Sequence, residues 1–374
     1  MVTAFTNATI FTGTEVLTGK ALLIEQGKIR AIIDESALSN DLQTVDCQQQ
    51  QIAPGLIDLQ IYGGGGTLFS CNPSVQALKA MTDALPQTGT TGFLVTLATN
   101  SAEVFKEAIR VVRDNPHPAV LGLHLEGPYI NPVKKGAHPD RYIRRPDVAE
   151  LRELLAEADG VVKMITLAPE VCGEGVIRFL KNSGVVVSAG HSNACFEEAV
   201  AGFREGITAV THLFNAMSPL HHRNTGLPGA AFQTESVYAS IIADGIHVDF
   251  NALAISKQVM RECLFLITDA VEECQTAPYI HVRKNGYFTL PDGTLSGSQL
   301  TLLKAVQNCV RYGNIPLEEA LRMASAYPAS VIGAAGMGRI AAGYKANLIV
   351  FSKDFELTSV YVDGALLERN HIIH

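Results

Sequence analysis

Apolar residues along this chain fall into two rhythms. In the middle, short and nearly continuous apolar runs recur at 56–60, 92–96, 120–125, 161–166, 185–189, 207–211, 239–243 and 264–268. Runs of this kind suit strands covered on both faces. Helical patterns lie between several of them. Asp147 with Glu150 reads as a capping-box pair ahead of Val148, Leu151, Leu154 and Leu155. Asn100 with Glu103 does the same for the run to Arg113. Residues 197–204 and 317–325 are further helical stretches. Eight strands with intervening helices predict an α/β chain folded as a (β/α)8 TIM-like barrel. An open doubly wound sheet is the alternative, but it normally carries fewer strands and a glycine-rich nucleotide turn. Gly63-Gly64-Gly65-Gly66 lacks that spacing.

The ends follow the second rhythm. Residues 1–53 read as small antiparallel strands, with Ala21–Ile24 and Ile29–Ile32 flanking a turn at Glu25-Gln26-Gly27-Lys28. Near the other end, 346–351 and 359–362 are strand-like, and Asp363-Gly364 supplies another turn. Neither piece buries a core alone. They are expected to pair into one small β-sandwich domain, 1–53 with 336–374, beside a catalytic barrel at 54–335.

Composition narrows the function. The 374 residues are 47% apolar and 18% charged, which fits a globular chain and not a disordered one. No apolar run approaches the roughly 18 residues that cross a bilayer. The first basic residue is Lys20, so no secretory signal is expected. A net charge of −8 argues against a nucleic-acid partner. The 7 cysteines are odd in number, irregular in spacing and without a Cys-x-x-Cys, which suits reduced thiols in the cytoplasm.

In a (β/α)8 barrel the chemistry sits at the C-terminal ends of the strands. Read in order, those ends carry Gln60, Thr96, Glu126, Thr166, His191, His212, Asp244 with His247, and Asp269. Glu126, His191 and His212 have the donor chemistry of a three-ligand metal site that keeps an open position. Asp269 is then placed to move a proton to and from water. Each residue also has a plainer reading. A strand-end histidine can be structural, a strand-end aspartate can cap a helix, and Glu126-Gly127-Pro128 can be turn chemistry. Cys195, four residues after His191, is a further conceivable ligand.

Longer motifs carry a resemblance. Ala53-Pro54-Gly55-Leu56-Ile57-Asp58 resembles the opening motif of the amidohydrolase superfamily, and 338–348 its closing motif. Between them, Leu123–Pro128, Lys135–His138, Ser188–Ser192, Thr211–Met217, Ala243–His247, Thr268–Ala270 and Leu295–Ser298 resemble the N-acetylglucosamine-6-phosphate deacetylase family, in order and over nearly the whole chain. The resemblance implies removal of acetate from the 2-acetamido group of a sugar 6-phosphate. It implies that Glu126, His191 and His212 hold a divalent metal, zinc before iron. It makes Asp269 the base and then the acid, and has His138 polarise the amide carbonyl. It assigns Asn215, Ala216, His247 and Arg223 to sugar and phosphate, with Ala137 and Leu295-Ser296-Gly297 closing over the ring. A homodimer is implied too, in which a neighbour's arginine completes the phosphate site.

The chain departs from the pattern twice. Where two-metal relatives carry His-x-His it has Gln60-Ile61-Tyr62, so a single metal per subunit is expected. After Asp269, the segment 271–278 is short and lacks glycines, which leaves the sugar open. Leu220-His221-His222-Arg223 is similar to galactosamine-phosphate deacetylases, and the galacto epimer is the runner-up. Two other classes stand further off. A Schiff-base aldolase would need Lys163 as its amine, and a non-catalytic phosphosugar binder would keep the fold without the chemistry.

Overall fold

The computed structural model describes residues 2–368; the last residues of the expected C-terminal segment lie outside them. Strands Leu56–Ile61, Thr90–Ala98, Val120–Glu126, Val162–Leu167, Val186–Ala189, Ala209–Val210, Tyr238–Ile241 and Leu264–Leu266 pair in that order into one parallel sheet. Each matches one of the apolar runs. Every residue of Leu56–Ile61 and Thr90–Ala98 is buried, as strands packed on both faces must be. The sheet closes on itself. Ile61 bridges Ala270 in parallel, and the Asp269 backbone N–H donates to Gln60 O at 3.0 Å. Asp58 joins the same seam by accepting from Thr268 Oγ1 at 2.5 Å, and burial pushes its carboxyl up to about 7.

The helices pack outside. Asp147 caps Val148–Ala158 as expected, accepting from the N–H groups of Ala149 and Glu150. Glu150, however, turns to Arg144 and Tyr129 and closes no capping box. The second expected cap is corrected. Ser101, not Asn100, caps Ala102–Asp114. Asn100 is buried, and its amide instead donates to Ser70 O at 3.1 Å, tying two loops together. No helix among the described residues is long and apolar enough to cross a membrane.

The terminal segments form one further eight-stranded sheet around Phe5, Ile10, Leu22, Ile52, Leu348 and Val350. Hairpin Lys20–Glu25 with Lys28–Asp34 turns at Gln26-Gly27, with φ of 50° and 76°. Leu357–Val362 turns back at Asp363-Gly364 with φ of 46° and 76°. Consecutive positive φ values are what a two-residue hairpin loop needs. The two turns meet: a Cβ on Gly27 would lie 2.9 Å from Asp363 O. One pairing differs from the all-antiparallel expectation. Val2–Phe11 and Gln43–Pro54 run parallel. The hairpin between them lies against Val2–Phe11 and brings the chain back in its starting direction. Gln43–Pro54 then feeds the barrel through Gly55, whose missing Cβ would fall 2.0 Å from Thr91 Oγ1.

Candidate metal centre and active site

Three residues reach the C-terminal mouth of the barrel from bent backbone. His191, His212 and Asp269 follow their strands with φ of 47°, 35° and 54°. Non-glycine residues in the left-handed region cost about 1–3 kcal/mol each and need a surrounding structure that dictates them. All three side chains line one cavity. Gly190, just before His191, shows how tight the bend is: a Cβ there would lie 2.7 Å from Thr166 Cγ2 and 2.9 Å from Thr211 Cβ. Gly190→Ala is expected to destabilise the fold by about 1–3 kcal/mol and to loosen metal retention, measured by urea unfolding and by metal content after dialysis.

Glu126, His191 and His212 come together as expected. Glu126 Oε1 lies 3.0 Å from His212 Nε2 and 3.3 Å from His191 Nε2, and the two imidazole nitrogens are 3.1 Å apart. His191 Nδ1 is 2.9 Å from Lys134 O, so it carries the proton and leaves Nε2 with a bare lone pair. Two nitrogens and a carboxylate oxygen this close meet either through a proton on His212 Nε2, whose Nδ1 is buried without a partner among the described residues, or around a cation. The edges also match a tetrahedral ion, whose ligands at roughly 2.0–2.1 Å stand a little over 3 Å apart. The donor set therefore fits a divalent metal. Cys195 is no part of it; it caps Phe196–Glu205 instead.

Around this triangle the charges are balanced. Burial alone would raise Glu126, but His191, His138 and His212 outweigh it and hold the carboxylate well below its usual range. His138 is buried, its Nδ1 2.6 Å from Thr99 Oγ1 and its Nε2 3.1 Å from Glu126 Oε2. The pairing is consistent when Thr99 donates to Nδ1 and His138 donates from Nε2. Burial and the neighbouring His191 bring its pKa down to about 4, so it is a neutral donor. Asp269 accepts from Gln60 Nε2 at 2.9 Å. Desolvation, then the charges of Glu126 and Asp58, push its carboxyl well above the usual range.

These groups open into a cavity of about 310 Å³. Its lining includes Ala137, Asn215, Ala216, His247, Leu295, Ser296 and Gly297, all expected there. Asp244 does not face it; its carboxylate orients His247, with Oδ2 2.6 Å from Nδ1. Thr96 and Thr166 also stay within the barrel. Thr96 accepts from the Ile61 N–H, and Thr166 bonds His124 and Thr211. Arg223 lies on an exposed turn and is not part of the lining. Lys163 lines a different cleft with Arg113, His117 and Asp159, which takes away the amine of the aldolase reading.

Sequence reasoning missed Tyr279 and His281. Both line the cavity. Tyr279 Oη donates to Thr99 O at 2.6 Å and sets its ring edge-on to His138, and His281 Nδ1 lies 2.8 Å from Ser296 Oγ. They enter from the segment that leads into a small antiparallel flap, Val282–Arg283, Tyr287–Thr289 and Leu295–Ser298. Tyr62, expected only as a lost ligand, donates to Glu126 Oε2 at 2.5 Å. Burial, with the charges of Glu126 and Asp269, raises its phenol pKa well above normal and keeps the proton in place.

Comparison with known proteins shows the family. Residues 52–367 match the amidohydrolase family, and residues 3–51 match the NagA composite domain. The chain belongs to the amidohydrolase family. Within it, the relatives are amino-sugar-phosphate deacetylases. An N-acetylglucosamine-6-phosphate deacetylase of Haemophilus influenzae is 35% identical across 98% of this chain and 99% of its own. An N-acetylgalactosamine-6-phosphate deacetylase of a Shewanella species is 36% identical across 84% of this chain and 83% of its own. The crystal structure of N-acetylglucosamine-6-phosphate deacetylase from Pasteurella multocida superposes with a TM-score of 0.95 at 36% identity, covering 99% of this chain and 100% of that one.

Proposed function

We propose that this chain hydrolyses the 2-acetamido group of N-acetyl-D-glucosamine 6-phosphate to D-glucosamine 6-phosphate and acetate, in amino-sugar catabolism in the cytoplasm. The observation that carries the reading is the meeting of Glu126, His191 and His212 beside Asp269 and His138 in one cavity. The three residues hold one divalent ion per subunit, zinc before iron. When bound, the ion supplies Lewis acidity, which makes water more acidic and an amide carbonyl more electrophilic.

The chain's own groups supply the rest. Asp269 takes a proton from the attacking water and hands it to the departing amine, and its raised pKa suits a group that must hold a proton between two steps. His138 turns its Nε2–H from Glu126 Oε2, 3.1 Å away, to the carbonyl oxygen as charge builds there. Asn215, Ala216 and His247 seat the phosphosugar, with Ala137 and the Leu295-Ser296-Gly297 strand closing over it. Arg223 is exposed, and on this reading it serves the phosphate in the neighbouring subunit of a homodimer. Residues 54–335 carry the chemistry, and the described residues before and after them, 2–53 with 336–368, make up the small β domain.

The Shewanella relative keeps the galacto epimer as the second reading. The test is acetate release from both epimers, with bound metal counted in the same preparation. The glucosamine substrate is expected to be preferred by at least about 10-fold in kcat/KM, because a site built around one hydroxyl penalises its epimer. A galacto preference replaces the first reading with the second, and no acetate from either favours the non-catalytic binder.

A further inference from the structure

Gln60 lies on the first barrel strand, Leu56–Ile61, and Tyr62 follows directly after its end. Both end in one small space. Gln60 Nε2 lies 2.6 Å from Tyr62 Oη, 2.9 Å from Glu126 Oε1 and 2.9 Å from Asp269 Oδ1. Tyr62 Oη lies 2.5 Å from Glu126 Oε2. Two carboxylates thus converge on one amide and one phenol. Carboxylates so placed repel unless something positive stands between them. A cation is one answer. Here the answer is a pair of neutral donors, an N–H and an O–H.

We propose that Tyr62, held by Gln60, is a positioning residue that pins Glu126 by one oxygen and, with Gln60, fills the space a second cation would take between Glu126 and Asp269. The inference rests on reading Glu126, His191 and His212 as the metal site. The two oxygens of Glu126 have different partners: Oε1 faces His191 and His212 and also accepts from Gln60, while Oε2 meets Tyr62 and His138. A carboxylate held this way at Oε2 cannot swing to chelate an ion with both oxygens. The phenol–carboxylate bond is charge-assisted and short, hence strong. The Tyr62 ring packs with Leu68, Ala98, Val271 and Tyr279, which fixes where its hydroxyl points.

Two variants test this by metal binding in the absence of substrate. Tyr62→Phe keeps the ring and its packing and removes only the hydroxyl. It is expected to bind one metal per chain, with the half-saturating Zn²⁺ concentration in a chelator-buffered series raised about 10- to 100-fold. The visible absorption bands of its Co²⁺-loaded form are expected to shift as Oε2, then held by His138 alone, moves towards the ion. Binding and spectrum like those of the parent overturn the positioning role. Gln60→His combined with Tyr62→His puts two imidazoles beside two carboxylates, a donor set suited to Zn²⁺. Its metal content is expected to rise from one to two per chain, with circular dichroism like the parent's. A content of one in the folded double variant overturns the exclusion of a second cation. Tyr62→Phe decides the proposal if the double variant does not fold. A parent chain that binds one metal but releases no acetate refutes the proposed reaction, and leaves these binding results to judge Tyr62 separately.

Discussion

Asp269→Asn is expected to lower kcat by about 10²- to 10⁴-fold, the range for removing a positioned acid–base group, while metal content stays at the parent level. The substitution is close to isosteric. Its amide oxygen can still accept the Gln60 N–H that now reaches Asp269 Oδ1 at 2.9 Å, so the local packing is preserved. What is lost is the ability to take up a proton. In the parent, desolvation and the nearby Glu126 push the Asp269 carboxyl well above its usual range. On the proposed mechanism, a carboxyl so raised can hold the proton taken from water until the amine departs. Acetate release measured under substrate saturation, with bound metal counted by atomic spectroscopy, checks both halves. Turnover retained in the variant would remove Asp269 from the mechanism, and loss of the metal would make it a ligand instead.

Much of this arrangement is legible in the sequence. The barrel strands showed as apolar runs because both of their faces are covered, and a strand like Thr90–Ala98 has no polar face to blur the signal. Their ends were less clear. The run at 207–211 shrinks to Ala209–Val210, because the chain must already be bending to bring His212 round at a φ of 35°. Glu126, His191, His212 and Asp269 were visible because strand ends are where a barrel puts chemistry. Tyr279 and His281 were not, since they come from a loop before the flap, where no periodicity marks a residue as inward-facing. The parallel pairing of Val2–Phe11 with Gln43–Pro54 was hidden because the hairpin between them supplies the only local signal, and it is antiparallel. Tyr62 read as a gap in a motif. Its meaning lies in a bond to Glu126, 64 residues further along the chain, and sequence spacing says nothing of such a contact.

Removal of the metal is expected to stop turnover and to weaken the fold together. Glu126 Oε1 and the two imidazole Nε2 atoms stand 3.0 to 3.3 Å from one another in a buried site, and a bound cation would be held by all three at once. An ion that binds only the folded chain adds stability by mass action, about 2.7 kcal/mol when its free concentration is 100 times its Kd. Dialysis against a chelator should therefore abolish acetate release and lower the urea midpoint, and added Zn²⁺ should restore both. Glu126→Gln should not be rescued, because a neutral amide is a poor ligand and the balancing charge is gone. His138→Ala separates the two effects. His138 lies against Glu126 Oε2 but outside the triangle, so the variant should keep its metal-dependent stability while kcat falls. A chelated chain that keeps both its midpoint and its turnover would show that the triangle is a structural cluster and that the chemistry lies elsewhere.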